Sequence, residues 1–307
     1  MLRRSRPQPA GAWEPVVHEK RSLRYSLGAI AAFAMPFLFS ASAQADRFNI
    51  SDRFYNALEA VQEGIDLLLP GDLDSQDVRA RIGVGLGWTP DYEGSNNYRF
   101  RAIPLIDIRY KEVWRLNGGQ FTYSAFRSGG FEAGPLLNLN GGRSEHANKA
   151  LEGLGDISTT VDVGIFARYS TPSMLISSDF HQALGAGRGK QIRLTAGHGI
   201  YRSGNFAIGA GIRAKWLSKK AMQTSFGITP EQSANSVRGI EAFEANAGVS
   251  DISANVIGVY QLTPSVRVLG LVSVGTLLGS AADSPITGGQ YGSATQFIGG
   301  TGLQFLF

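Results

Sequence analysis

From residue 78 onward, apolar and polar side chains alternate in segments of about ten residues, the length that a tilted strand needs to cross a bilayer. In the first segment Val78, Ile82 and Trp88 share one face, whereas Arg79 and Arg81 lie on the other. Since successive side chains of a β-strand point to opposite sides, the pattern predicts strands with one apolar face. The same pattern recurs in residues 98–110, 131–139, 161–169, 206–216 and 252–262.

The charged side chains of these strands fall on the face opposite to the apolar one. They are Arg79, Arg81, Arg99, Arg101, Asp107, Arg109, Asp162, Arg168, Arg193, Arg213, Lys215 and Arg267. A charge that faces lipid at the bilayer midplane costs about 2–4 kcal/mol, whereas one that faces a polar lumen costs little. A soluble sandwich of two sheets alternates in the same way, but the many glycines on the polar faces favour a narrow barrel. We therefore predict that these charges line the lumen of a membrane-spanning barrel.

The final segment ends on an aromatic residue. Leu303, Phe305 and Phe307 share its apolar face, and an alternating last strand with a terminal aromatic resembles the signal that the outer-membrane assembly machinery reads. Together with the alternation, this predicts an all-β fold: a transmembrane antiparallel up-and-down β-barrel over residues 78–307. The turn signals between segments indicate about twelve strands, with roughly ten to fourteen as the range.

Residues 1–45 have the organisation of an export signal. A basic region precedes an apolar stretch over residues 25–39, and small residues follow up to Ala45. This order predicts a secretory signal peptide that is cleaved after Ala43 or after Ala45. Export together with the predicted barrel gives an expected place in the outer membrane of a Gram-negative cell. The alternative is a membrane-anchoring helix, but the apolar stretch is shorter than the roughly 20 residues that a spanning helix needs.

Residues 46–77 differ from the segments on either side. Apolar side chains recur there at helical spacing: Phe54, Leu58, Val61, Ile65 and Leu68. With Ser51 or Asp52 as the N-cap and Pro70 as the stop, the pattern predicts one short amphipathic helix over about 52–69, followed by an acidic linker. A helix packed at the barrel mouth is the simpler interpretation, and a partner-binding or plugging helix is the alternative.

Composition excludes several classes of function. The chain has no cysteine, which excludes a disulfide framework, a thiol nucleophile and a cysteine-ligated metal. Its net charge of +4 lies largely in the leader and gives no argument for binding nucleic acid. The 39 glycines, 17 phenylalanines and 10 tyrosines suit many strands with tight turns and aromatic girdles at the membrane interfaces.

One grouping of residues has the composition of a hydrolase triad. Ser177, Asp179 and His181 alternate along one strand, which stacks them on one wall of the lumen. Nothing in that spacing indicates a hydrogen bond between nucleophile and base, so we interpret the three as a lumen network. Asp91 and Glu93 are interpreted as parts of a solvated loop rather than a cation site. We therefore expect no enzyme activity, no cofactor and no bound metal.

The basic lumen face admits two interpretations. It would select anions or bind the phosphates of lipopolysaccharide, or it would pair with acidic side chains across a plugged lumen. The acidic candidates are Asp107, Glu132, Asp162, Asp179 and Glu244. Internal pairing is the interpretation that we favour, because a charge without a counter-charge is costly in a narrow lumen.

Several sequence runs, in their order along the chain, carry a family resemblance. They include Gly85–Arg99 (Gly-Leu-Gly-Trp-Thr-Pro-Asp-Tyr-Glu-Gly-Ser-Asn-Asn-Tyr-Arg), Pro104–Tyr110, Gly134–Pro135, Gly142–Arg143, Leu151–Ile157, Phe226–Thr229 and Asp283–Ile286. Over residues 78–307 the chain resembles the MipA/OmpV family of MltA-interacting outer-membrane proteins. The resemblance implies an outer-membrane barrel, and it offers no catalytic residues to transfer.

The resemblance also implies a partner. Its named member resembles a scaffold that joins a murein hydrolase to a murein synthase, which leads to the hypothesis of a non-enzymatic scaffold for peptidoglycan-remodelling enzymes. The alternative hypothesis is a small-solute or anion-selective diffusion channel. Expected contacts common to both hypotheses are outer-membrane lipid, lipopolysaccharide and the barrel assembly machinery.

Overall fold

The computed structural model describes residues 77–307, which form β-strands joined by turns and by loops that contain short helices. The strands are β1 (Val78–Pro90), β2 (Tyr98–Tyr110), β3 (Trp114–Asn117), β4 (Gln120–Tyr123), β5 (Phe126–Ser128), β6 (Phe131–Asn140), β7 (Thr160–Ser170), β8 (Met174–Ala183), β9 (Lys190–Ser203), β10 (Phe206–Leu217), β11 (Gly248–Thr263), β12 (Val266–Leu277) and β13 (Thr295–Leu306). The α-helices are α1 (Lys219–Phe226), α2 (Pro230–Asn235) and α3 (Ser280–Asp283). The predicted signal peptide and the predicted helix over 52–69 lie outside the described residues.

The strands close into one antiparallel barrel. Consecutive strands pair with each other except β4 and β5, and β1 pairs with β13 from Arg81↔Leu306 to Trp88↔Gly299. Both β4 and β5 pair with β6, so they are two halves of one strand that is interrupted at residues 124–125. The barrel therefore has twelve strands, and the predicted fold class is confirmed. Closure pairs the backbone groups of the first and last strands, as a structure in lipid requires.

One hairpin is much shorter than the others. Strands β3 and β4 have four residues each, and β3 pairs with β2 only from Asp107 to Tyr110. The Gly118 N–H donates to the Ile106 carbonyl oxygen, so the turn lies part of the way up β2. Four-residue strands carry too little alternation to be recognised. The regular succession of short turns and long loops is therefore interrupted between residues 113 and 140.

Apolar side chains cover the outside of the barrel, and aromatic rings mark its two ends. Val84, Ile165 and Ile212 are among the exposed aliphatic side chains on the strands. Near one end Trp88 stacks on Tyr98 with ring centroids 4.3 Å apart. Near the other end, aromatic contacts join Trp114 to Tyr123, Phe126 to Phe131 and Tyr201 to Phe206. An apolar band between two aromatic girdles is the outer surface expected of a barrel in a membrane.

Short turns and long loops lie at opposite ends of the barrel. The turns at one end are residues 111–113, 129–130, 171–173, 204–205 and 264–265, and the loops at the other end are 91–97, 141–159, 184–189, 218–247 and 278–294. Short turns face the periplasm in outer-membrane barrels, which defines a periplasmic and an extracellular end. Val78 and Phe307 both lie at the periplasmic end. Among residues 77–307, no helix has the length and apolar character needed to cross a membrane.

Candidate functional site: the barrel lumen and its loop cap

At the periplasmic end of the lumen, one carboxylate contacts three arginines. Asp107 Oδ2 lies 3.2 Å from Arg81 Nη1, and Asp107 Oδ1 lies 3.0 Å from Arg115 Nε and 3.8 Å from Arg109 Nε. The strand register brings them together, because Arg81 is opposite Asp107 and Arg109 is opposite Arg115. Asp107 is 1 % exposed, so this periplasmic cluster holds its charges away from water, where ion pairing is strongest.

A second network, the polar wall, lies on the inner face of β4 and β6–β9. It consists of Gln120, Asn140, Asp162, Asp179, His181 and Arg193. The Nη2 atom of Arg193 donates to Gln120 Oε1 at 2.5 Å and lies 3.4 Å from Asp179 Oδ2. Asn140 Nδ2 donates to Asp162 Oδ2 at 3.0 Å. The contact between Arg193 and Gln120 links β9 to β4 across 73 residues, and the others link neighbouring strands, so the polar wall stiffens the barrel from inside.

The contacts of His181 test whether Ser177, Asp179 and His181 are arranged as a hydrolase triad. Its Nε2 atom lies 2.6 Å from Arg193 Nη2, and its Nδ1 atom lies 3.9 Å from Asp162 Oδ2. A guanidinium only donates, so Nε2 accepts from Arg193 and the ring proton of a neutral imidazole sits on Nδ1. An Nε2 atom whose lone pair is occupied by an arginine is a poor base for Ser177. The geometry supports our interpretation of Ser177, Asp179 and His181 as a lumen network.

The opposite side of the lumen, the glycine–apolar wall, is built differently. It consists of Gly83, Gly85, Gly87, Gly300 and Gly302 on β1 and β13, flanked by Ile103, Leu105, Ile257, Val259, Leu269 and Leu271 on β2, β11 and β12. A Cβ atom at Gly302 would lie 2.7 Å from Leu105 Cδ1, so Leu105 packs over the glycine. Val259 is 0 % exposed. The interior of a membrane barrel is ordinarily polar, so this wall is unusual.

The predicted lumen charges fall into groups. Arg81, Asp107, Asp162, Arg168, Arg193, Arg213, Lys215 and Arg267 are buried on the inner face, whereas Arg79, Arg101 and Arg109 are half-buried. Arg168 donates to Glu132 at 2.7 Å, and Lys215 Nζ lies 2.8 Å from Glu93 and 3.2 Å from Asp251. Arg99 is exposed at the extracellular rim, where it contacts Asp91 and the Ala147 carbonyl oxygen. Glu244 pairs with exposed Lys219 outside the lumen.

Four loops fold over the extracellular end into a loop cap, made of residues 91–97, 141–159, 218–247 and 278–294. Its core contains Tyr92, Ala147, Ala150, Leu151, Leu154, Ile228, Ile240 and Ile286. A second cluster, with Met222 and Phe226 of α1 and Ala281 of α3, lies against Leu217 and Leu277 at the strand ends. Burying apolar side chains from four loops in common cores gives the cap an ordered structure of its own.

Hydrogen bonds from three places in the loops fasten the cap. The Tyr92 hydroxyl lies 2.8 Å from the Ile286 carbonyl oxygen and 3.0 Å from that of Tyr291, and burial raises its pKa above the ordinary tyrosine value. Arg143 Nη1 donates to the Ser225 carbonyl oxygen at 2.9 Å, and burial lowers the pKa of its guanidinium to about 10. Asp91 accepts from Asn148 Nδ2 at 2.9 Å. The cap is thereby tied across the lumen mouth.

The runs that carry the family resemblance converge on this cap. Tyr92, Leu151 and Ile286 come from three of those runs, up to 194 residues apart, and pack in one core. The interpretation of Asp91 and Glu93 as parts of a solvated loop is wrong, since Asp91 is 9 % exposed, Glu93 lies 2.8 Å from Lys215 Nζ, and Tyr92 between them is 2 % exposed. The lumen positions of Arg115 and Gln120 were not predicted, because their four-residue strands are too short to show a period. Loop 218–247 continues as part of the cap up to the start of β11.

The predicted assembly signal lies on the lipid-facing side of β13. Leu303, Phe305 and Phe307 are exposed, while Gln304 and Leu306 point inward and are buried. Recognition by the assembly machinery stays a prediction. In the part of the chain that is described, no group of three or more histidine, aspartate or glutamate side chains is arranged to hold a metal ion.

An apolar exterior, a charged interior and a capped extracellular end define the class: the chain is a closed twelve-stranded outer-membrane β-barrel. Residues 82–307 match the family described as MltA-interacting protein MipA. The chain belongs to that family, and the resemblance found in the sequence is confirmed.

Other comparisons add three distant structural similarities. The chain is similar to the NanC porin at 8 % identity, with 73 % of this chain and 98 % of the porin covered and a TM-score of 0.39. The translocator domain of the autotransporter NalP from Neisseria meningitidis has 11 % identity, 83 % and 95 % coverage and a TM-score of 0.39. OmpT of Vibrio cholerae has 9 % identity, 75 % and 98 % coverage and a TM-score of 0.34. No curated protein matches the sequence.

Proposed function

We propose that this barrel is a non-enzymatic scaffold that binds a murein hydrolase, and through it a murein synthase, at its periplasmic end. The observation that carries the proposal is membership in a family described as MltA-interacting. The lumen supports a binding role over a transport role, because side chains at several levels of it are shielded from water. Arg267, His181 and Gln304, from three different strands, are each 0 % exposed.

The scaffold is tested by site-specific photocrosslinking in intact cells. A photoreactive residue is placed at Ser173, Asn205 or Ser265 in the exposed periplasmic turns, and at Arg238 in the loop cap as a matched control. We expect crosslinks to a murein hydrolase from the turns and none from position 238. Heat-modifiable migration on gels shows that each variant is folded. Folded variants that give no hydrolase from any turn, or give it equally from position 238, would contradict the scaffold.

A second candidate function is an anion-selective diffusion channel. The observation in its favour is the charge of the lumen: of the charged side chains that the described strands bury, seven are basic and four are acidic. A basic constriction attracts anions and repels cations. The test is a planar-bilayer recording of the purified full-length barrel. Stable, anion-selective steps would favour the channel, and their absence at concentrations where the control porin conducts would remove it.

A further inference from the structure

We propose that a lysine patch at the extracellular end of β9 and β10 binds the phosphate groups of lipopolysaccharide in the outer leaflet of the membrane. The patch consists of Lys190, the first residue of β9, and of Lys219 and Lys220, which begin α1 directly after β10. Residues 77–307 contain six lysines, and three of them lie in this patch. Since it lies at the end of the barrel opposite to the periplasmic turns, lipid binding here is independent of any murein enzyme bound at those turns.

Backbone contacts hold the two parts of the patch together. The Ser218 N–H donates to the Lys190 carbonyl oxygen at 3.0 Å, and the Ser218 hydroxyl accepts from the Lys190 N–H at 3.0 Å. A Cβ atom at Gly189 would lie 3.1 Å from Lys220 Cβ, so Lys220 starts beside the residue that precedes Lys190. The lysines therefore extend from backbone positions that are fixed relative to one another, which lowers the entropic cost of binding one ligand.

Helix stability does not account for the lysines of α1. Lys219 and Lys220 lie in the first turn, which contains no acidic residue. The N-terminus of a helix carries a partial positive charge, so acidic side chains stabilise it and lysines do not. In the part of the chain that the structure describes, the exposed side chains of Lys190 and Lys220 have no acidic partner. Lys219 pairs with Glu244, but both side chains are exposed and a phosphate can compete for this lysine.

The patch lies at the depth of lipid headgroups. Trp216 of β10 and Ile192 of β9 are opposite each other in the register and lie on the outward face. Tryptophan is enriched where a membrane meets water, so Trp216 marks that depth. Lys190 shares the outward face of Ile192 two residues closer to the extracellular side, and α1 begins three residues after Trp216. Leu194, on the same face and 52 % exposed, contacts the apolar layer below. A lipid with phosphates above acyl chains matches both levels.

The test measures binding of lipid A, the phosphorylated membrane anchor of lipopolysaccharide, to the purified full-length barrel in detergent by native mass spectrometry. One variant combines Lys190→Gln with Lys220→Gln. The matched control combines Lys149→Gln with Arg238→Gln, which remove the same charge from exposed positions of the loop cap. Lipid A without its phosphates is the second probe, and heat-modifiable migration shows that each variant is folded.

We expect the variant at positions 190 and 220 to bind phosphorylated lipid A about tenfold more weakly than wild type, because each lysine near an anionic headgroup strengthens binding. The control variant should bind it as wild type does. Without the phosphates, lipid A should bind wild type and the patch variant equally. Three results would overturn the proposal: unchanged affinity in the patch variant, an equal loss in the control, or a wild-type barrel that binds both forms of lipid A equally. Displacement of lipid A by inorganic phosphate at the same concentration would also overturn it, since the site would then bind free anions.

Discussion

The polar wall and the glycine–apolar wall belong to one barrel with the same strand pairing and the same apolar exterior, yet their interiors differ. Arg193 of the polar wall contacts Gln120, His181 and Asp179, so this side closes on itself through hydrogen bonds and ion pairs. Across from it, Gly83 and Gly302 contribute no side-chain bulk: the backbone of β13 lies close to Gly83, and Leu105 packs over Gly302. The difference shows that contact with lipid requires an apolar outward face on every strand, whereas the composition of the inward face can vary from one side of the barrel to the other.

The largest effect is expected from breaking the polar wall. Replacing Arg193→Met removes the cation beside the buried Asp179 carboxylate and the donor to Gln120. Removing one partner of a buried ion pair costs about 3–5 kcal/mol. We expect the free energy of unfolding, measured by denaturant titration of the barrel in lipid vesicles with tryptophan fluorescence, to fall by that amount.

The control for this prediction is Lys219→Met in the loop cap. Lys219 pairs with Glu244, and both side chains are exposed, so the pair is screened by water and salt. We expect no measurable change in unfolding for this variant. An Arg193→Met barrel that is as stable as the Lys219→Met barrel would show that the polar wall does not hold the lumen together.

The next largest effect is expected from adding bulk to the glycine–apolar wall. A Cβ atom at Gly83 would lie 2.0 Å from the Leu303 carbonyl oxygen, so Gly83→Ala forces β1 and β13 apart. Overpacking of this kind costs about 1–3 kcal/mol. Gly270→Ala on β12 is the matched control, because a Cβ atom there meets nothing within 4 Å. The same denaturant titration should separate the two variants, and equal stability would show that the glycines are not required by close approach.

The sequence predicted the barrel, a strand number of about twelve and the outward face of each long strand. These were predictable because every strand that crosses the lipid must place an apolar side chain at every second position. It predicted neither the β3–β4 hairpin nor the loop cap. Strands of four residues show no period, and the cap depends on contacts such as Tyr92 with Ile286, which no local pattern encodes. The glycines of the inner face were visible in the sequence. Their grouping on one wall emerged only when register placed Gly85 opposite Gly302.

The smallest effect is expected where the cap fastens over the glycine–apolar wall. Tyr92→Phe removes a hydroxyl that lies 2.8 Å from the Ile286 carbonyl oxygen, a loss of about 1 kcal/mol. We expect faster protease cleavage in loop 278–294 and little change in loop 141–159, which Asp91 holds through Asn148. Equal acceleration in both loops would mean that the cap opens as one unit.

The pH dependence of protease cleavage in loop 278–294 shows how the Tyr92 hydroxyl stabilises the cap. Burial raises the pKa of Tyr92, so the neutral hydroxyl stabilises the cap fully below the ordinary tyrosine pKa of about 10. That stability is lost as the pH rises through the folded-state value. Arg143, whose pKa is lowered to about 10, interacts with Tyr92, so the difference between wild type and Tyr92→Phe reports the tyrosine together with its interaction with Arg143. We expect the two cleavage rates in loop 278–294 to approach each other as the pH rises from about 10 toward the raised pKa of the folded Tyr92, because the opened loop exposes a tyrosine that ionises near its ordinary pKa. Rates that stay apart at alkaline pH would place the contribution of Tyr92 in the packing of its ring rather than in its hydroxyl.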